Sequence, residues 1–302
     1  MQAPKPPEEP VVSRSATGPE VIGLFHADTS SISYIVIDPK SRRAALIDPV
    51  LDFSARAGRT ATHFADRLLS LCAEHRVTVD WVLETHVHAD HLSAGGYCRD
   101  RLGSRLGIGA NVTTVQTMVR DSYDLDGEIA IDGSQFDNLF QGGETFSVGG
   151  LAGSVLHTPG HTPACVTYLI GDAAFVGDTL FMPDGGTARC DFPGGSAATL
   201  YRSIHRLLTL PDATRVFTGH DYAPGGRPFA WESSVARQRR ENIHVGGGVP
   251  EAKFVATREA RDKTLEVPAL ILAALQVNVR GGRLPEPNDA GRSFLKIPVN
   301  WL

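Results

Sequence analysis

The segment His86-Val87-His88-Ala89-Asp90-His91 places three imidazoles and a carboxylate within six residues, directly after the apolar run Trp81-Val82-Leu83. A strand that delivers such a cluster must end where polar side chains can converge, because positions two apart on an extended segment project to the same side. Left without partners, those groups are costly to bury. A bound divalent cation offsets that cost, so the segment points to a metal site at a strand end. The competing explanation is a polar loop that is His-rich by accident. Eleven histidines in 302 residues make such a cluster improbable by chance.

Further donors follow at expected strand ends. His161 lies in the turn-rich run His157-Thr158-Pro159-Gly160-His161-Thr162-Pro163, Asp178 in Val176-Gly177-Asp178-Thr179, and His220 in Thr218-Gly219-His220-Asp221-Tyr222. Each is weak alone, but four strand ends that each present a metal-type side chain form a strong signal. His157 reads as a structural turn residue. His26, His63, His75, His205 and His244 lack a clustered context. Cys72, Cys98, Cys165 and Cys190 form no C-x-x-C pair, so a zinc knuckle is not expected and free thiols in a reducing cytoplasm are. Cys165 and Cys190 lie near the site in sequence and read as buried thiols rather than nucleophiles.

The surrounding chain reads as layered α/β. Val21–Phe25, Ser33–Ile37 and Ala44–Ile47 have strand character, residues 61–76 have helical spacing, and a strand then leads into the His cluster. The same order returns with strands at Val155–Leu156, Val166–Ile170 and Ala173–Val176, a helix at Ala197–Leu208 and a strand at Arg215–Thr218. Residues 1–19, with their prolines and charges, read as a flexible leader. Residues 20–230 form the expected catalytic domain. Residues 231–302 read as a C-terminal extension packed on it, with helices at Trp231–Ile243, Lys253–Thr264 and Pro268–Leu275. A formal charge of −5 gives no support for nucleic-acid binding. No apolar run approaches the roughly 20 residues that span a bilayer, and no segment reads as a signal peptide, so a cytoplasmic location is expected.

Taken in order, THVHADH, TPGHTP, GD and GHD resemble the signature of the metallo-β-lactamase superfamily over roughly residues 20–225. The resemblance implies an αββα sandwich with the metal site at one edge of two sheets. It also implies a first site from His86, His88 and His161, and a second from Asp90, His91 and His220, with Asp178 bridging. All seven positions are filled. Such a set suits a dinuclear zinc hydrolase like glyoxalase II, which cleaves a glutathione thioester with a metal-activated hydroxide.

A second branch of the superfamily uses a single Fe(II), held by two histidines and a carboxylate. The run Arg189-Cys190-Asp191-Phe192-Pro193-Gly194-Gly195 resembles the persulfide dioxygenases of the ethylmalonic-encephalopathy type. Leu275-Gln276-Val277-Asn278-Val279-Arg280-Gly281-Gly282 is similar to a bacterial subgroup of them. That resemblance implies one Fe(II) per chain on His86, His161 and Asp178. His88, Asp90, His91 and His220 would then surround the ligands, orienting them or holding water. It implies glutathione persulfide and O2 as substrates, sulfite and glutathione as products, and a homodimer, with Pro268–Leu275 as part of an interface. Glutathione carries two carboxylates, so cations should line its groove. Arg189, Arg239 and Arg280 are the expected ones, with Tyr222, beside His220, as a hydrogen-bonding neighbour. Two zinc ions and thioester hydrolysis remain the alternative, because the donor list is the same for one metal or two. A non-enzymatic metal-dependent module is a third reading, disfavoured by the intact donor set.

Overall fold

Strands in the first half of the chain are apolar on both faces, and each face meets a different core. In Ser31–Ile37, Ile32, Tyr34 and Val36 point into one core while Ile35 and Ile37 point into another. Ala45 and Ile47 alternate with Ala44 and Leu46 in the same way. Such two-faced burial is why these strands read as continuous apolar runs. The computed structural model describes residues 4–300.

Two sheets result. The first has seven strands in the order Val11–Ser13, Glu20–His26, Ser31–Ile37, Arg43–Ile47, Thr78–Leu83, Arg105–Gly109 and Asn138–Phe140. The second has six, in the order Thr145–Val148, Leu151–His157, Val166–Ile170, Ala173–Phe175, Arg215–Phe217 and Glu232–Ser234. A small third sheet joins Arg59–Ala61, Val50–Ser54 and Leu92–Ser93. The inner faces of the two large sheets share a core in which Tyr34 meets Phe175 and Phe217 edge-on, with ring centroids 5.4 and 5.6 Å apart.

Among the described residues, seven α-helices cover the outer faces: α1 (His63–Glu74), α2 (Gly95–Leu102), α3 (Val112–Tyr123), α4 (Ala197–Leu207), α5 (Val235–Glu241), α6 (Glu251–Asp262) and α7 (Ile271–Asn278). Helix α4 starts at Ser196, whose side chain accepts the Thr199 N–H, and it buries Leu200, Ile204 and Leu207 at helical spacing. Residues of α1, α3 and α7 share the core outside the first sheet, while α4 and Phe254 of α6 share the core outside the second. The expected αββα layering is therefore present.

Two expectations change. Val11–Ser13 pairs antiparallel with Glu20–His26, and Arg215 reaches Ser13 and the Pro19 carbonyl. The part of the expected leader from residue 11 onward is thus docked, because the open edge of a sheet offers backbone partners even to a three-residue strand. The first three residues of that leader lie outside the described residues. The basic stretch Trp231–Ile243 is not one helix. Glu232–Ser234 is the last strand of the second sheet and only Val235–Glu241 is helical, so the boundary expected at residue 231 falls inside a sheet. Within Pro268–Leu275, Ile271 and Ala274 are buried, with Ala274 in the chain's own core, while Leu270, Leu272, Ala273 and Leu275 are half-buried. Among the described residues, no helix is long and apolar enough to cross a membrane.

Candidate metal centre

Four connections leave the same end of the two sheets, and each carries donors. His86–His91 follow the strand Thr78–Leu83, and His161 follows Leu151–His157. Asp178 sits in a 3₁₀ turn, Gly177–Thr179, just after Ala173–Phe175, and His220 follows Arg215–Phe217. One donor atom each from His86, His161 and Asp178 lie within 4.8 Å of one another. His88, Asp90 and His91 form a second such group. Ring centroids of His86 and His88 are 4.0 Å apart, those of His86 and His161 5.1 Å, and those of His88 and His91 4.1 Å.

Four of the five imidazoles are oriented by a hydrogen-bond partner on the far nitrogen. His161 Nδ1 donates to the Arg189 carbonyl at 2.7 Å, and His220 Nδ1 donates to the Ser30 carbonyl at 3.1 Å. Thr85 gives its hydroxyl proton to Asp48 Oδ2 at 2.7 Å, so it accepts from His86 Nδ1 at 3.0 Å. His91 Nδ1 lies 3.1 Å from Asp90 Oδ2. His88 differs: its Nε2 lies 3.1 Å from Asp48 Oδ1 and 3.5 Å from Glu84 Oε2 without forming a hydrogen bond to either. In the first four, fixing one nitrogen in this way aims the lone pair of the other into the cluster.

What remains is a set of buried polar atoms with no hydrogen-bond partner among the described residues. They include His86 Nε2, His88 Nδ1, His91 Nε2, His220 Nε2 and Asp178 Oδ1. Buried polar groups are nearly always paired, so such a convergence marks a place where something else binds. Imidazole nitrogens and carboxylate oxygens are the donors a first-row divalent cation takes. The residues therefore fit a metal.

Electrostatics divides the histidines. Burial, reinforced by neighbouring His88 and His161, holds His86 well below its ordinary pKa. Burial and His88 push His91 down to about 4. Both are thus neutral, as ligands must be. Burial also opposes charge on His88, but Asp48 and Glu84 outweigh it and raise His88 well above its usual value. At His220 burial is again opposed, here by Asp178 and Asp90, and the pKa rises. Burial pushes the Cys165 thiol up to about 12 and raises Cys190 as well, so neither is a thiolate nucleophile at neutral pH. All four cysteines are free.

The centre opens into a cleft of about 620 Å3 that includes His161, Asp178, His220, Phe192, Arg189 and Arg261 in its wall. Arg189 reaches the cleft, but its guanidinium already forks onto Asp191 at 2.6 and 2.7 Å and donates to the Glu266 carbonyl. Tyr222 also lines it and stacks on His220 at 5.7 Å. The expectation for Arg239 and Arg280 is corrected, since neither belongs to the cleft wall. Arg239 pairs with Asp212 at 2.6 Å, and Arg280 is buried with Nη1 on the Gln276 carbonyl. Likeness of a segment carries no information about which way its side chains face. Sequence reasoning missed Asp48, Glu84 and Arg261. Asp48 had one available signal, a polar residue at a strand end before proline, and it takes a left-handed φ of 48°.

Residues 27–220 match the family described as the metallo-beta-lactamase superfamily. A "Beta-lactamase hydrolase-like protein" of Xylella fastidiosa is 55% identical over 284 residues, covering 94% of this chain and 65% of that protein. The chain thus spans about 65% of the length of that curated relative. "Persulfide dioxygenase ETHE1, mitochondrial" of Homo sapiens is 31% identical over 202 residues, covering 66% of this chain and 67% of that one. The crystal structure of ETHE1 from Myxococcus xanthus superposes with a TM-score of 0.70 at 34% identity, covering 86% of this chain and 98% of that one.

Proposed function

The chain belongs to the metallo-β-lactamase superfamily, and from that premise we propose that it is a glutathione-dependent persulfide dioxygenase with one Fe(II) per chain. In the proposed reaction glutathione persulfide, O2 and water give glutathione, sulfite and two protons. The outer sulfur is oxidised, dioxygen is reduced, and the S–S bond breaks. The observation that carries this reading is the convergence of His86, His161 and Asp178, two imidazoles and one carboxylate within 4.8 Å. That donor set suits non-haem iron with open positions. The similarity to the persulfide dioxygenase and to the Myxococcus structure supports it.

His86, His161 and Asp178 would hold the iron, which when bound supplies the redox chemistry on dioxygen and sulfur. The rest falls to the chain. Thr85 and the Arg189 carbonyl hold the Nδ1 protons of His86 and His161, keeping both Nε2 atoms free to ligate. Phe192, edge-on to His161 at 5.3 Å, limits water on one side of the centre. Arg261 lines the cleft with no carboxylate partner among the described residues, which leaves its charge for an anionic substrate.

A second reading, a dinuclear zinc thioester hydrolase resembling glyoxalase II, draws on the second donor group His88, Asp90 and His91. The two are separated by elemental analysis of protein purified without added metal, together with an oxygen-electrode assay on anaerobically iron-loaded protein. One iron and oxygen uptake with glutathione persulfide are expected. Two zinc ions and thioester hydrolysis, with no oxygen uptake, would overturn the dioxygenase reading.

A further inference from the structure

Asn278, the last residue of α7, is 4% exposed, and its carboxamide makes three hydrogen bonds. Nδ2 donates to the carbonyls of His88 and His91 at 2.8 Å each, and Oδ1 accepts the Ser93 N–H at 2.7 Å. All three partners belong to the connection that carries four of the metal-type donors. A carboxamide is suited to the task, because it offers two donors and an acceptor in one plane. An aliphatic side chain there would leave three buried backbone groups unpaired.

The adjoining chain follows the same path. Gly281 and Gly282 take left-handed φ values of 65° and 79°. The Gly96 N–H donates to the Gly281 carbonyl at 2.8 Å, and a Cβ on Gly282 would lie 2.6 Å from the Ser93 carbonyl oxygen. Only glycine permits so close a backbone approach. Helix α6 grips the other donor loop. Its buried pair Arg258–Asp262 donates to the Thr187 carbonyl at 3.0 Å and accepts the Cys190 N–H at 2.9 Å. Between those anchors lies the Arg189 carbonyl that holds His161.

We propose that the segment 251–282, which lies beyond the residues matching the family, is a structural half of the metal centre, and that Asn278 is its positioning residue. Asn278 fixes the backbone of His88–His91, and through it the directions of the imidazoles on either side. The inference rests on the reading of the donor cluster as a metal centre: with one iron Asn278 acts on His86 through the shared backbone of 86–91, and with two zinc ions it acts on His88 and His91 directly. Coupling of this kind is reciprocal: if Asn278 tightens metal binding, metal must stabilise the helix that carries it.

The test uses the full chain and Fe(II) added anaerobically in competition with a chromogenic chelator. Asn278→Ala is compared with Gln276→Ala, a buried neighbour on the same helix whose side chain bonds to Leu272 and Lys296 and touches no donor loop. We expect Asn278→Ala to weaken Fe(II) binding by about 10-fold, the low end of the range for groups behind metal ligands, because it acts on the iron ligand His86 only through the shared 86–91 backbone. Gln276→Ala should lose similar thermal stability while keeping wild-type affinity. Equal affinities in the two variants would overturn the inference. Should Asn278→Ala fail to fold, hydrogen exchange on the unaltered chain decides. Fe(II) should slow exchange in both 86–96 and 271–283, and slowing confined to 86–96 would overturn the inference. If the unaltered chain takes up neither Fe(II) nor Zn(II), the metal-centre reading falls and this inference with it. Undiminished binding by Asn278→Ala removes this inference alone.

Discussion

The backbone carbonyl of Arg189 accepts the Nδ1 proton of His161 at 2.7 Å. The loop after Asp178 therefore sets the tautomer of a donor that comes from a different strand. The Arg189 side chain meanwhile is committed to Asp191 and Glu266. One residue thus serves the metal centre through its main chain and the loop through its guanidinium.

Substrate recognition should accordingly depend on Arg261 more than on Arg189. Arg261→Ala is expected to raise KM for glutathione persulfide about tenfold with kcat little changed, as for loss of one charge-assisted contact. Arg189→Ala keeps the carbonyl but frees the loop, so kcat and stability should fall together. Steady-state oxygen uptake over a range of substrate concentrations checks both. An unchanged KM in Arg261→Ala would remove that residue from the binding site.

Thr85 relays between Asp48 and His86. Thr85→Val preserves shape and deletes both hydrogen bonds, leaving a buried carboxylate oxygen and an imidazole N–H unpaired. We expect a loss of about 1–3 kcal/mol in stability and about 10-fold weaker metal binding. Urea unfolding of the metal-free protein measures the first and chelator competition the second.

Gly160, next to His161, has φ of 140°, and a Cβ there would stand 2.3 Å from Leu200 Cα and 2.4 Å from Leu200 N in α4. Neither atom can move without shifting the helix. Gly160→Ala should therefore destabilise by at least about 3 kcal/mol, in the range of overpacking combined with backbone strain. A melting temperature equal to that of the wild type would contradict the packing described.

His244 accepts the Thr187 N–H at 3.0 Å, and burial, with Arg258 and Arg261 nearby, pushes its pKa down to about 4. An unfolded histidine titrates near 6.5 (about that value in model peptides). The folded form therefore resists a proton that the unfolded chain accepts. This contribution to stability is complete above about pH 6.5 and is lost as pH falls toward 4. His244→Asn has nothing to titrate, so it should lose less stability between neutral and mildly acidic pH. Urea midpoints of the metal-free proteins at pH 7 and 5 decide it: parallel losses would show that His244 is not the group responsible.

The sequence by itself determined the donors and the layers. His86 to His91, His161, Asp178 and His220 were legible because each follows an apolar strand, and strand ends at one edge of a sheet must lie close together. The alternation of strands with helices likewise announced layered α/β. Only the tertiary structure decided which groups stand behind the donors. Asp48 meets His88 across forty residues of chain and Asn278 meets His91 across 187. No local periodicity encodes such distances. The misplacement of Arg239 and Arg280 has the same cause: the direction of a long side chain is set by the acceptor it finds, here Asp212 and the Gln276 carbonyl. The docked strand Val11–Ser13 was hidden for a related reason, since three residues are too few to show a pattern until the neighbouring strand supplies their partners.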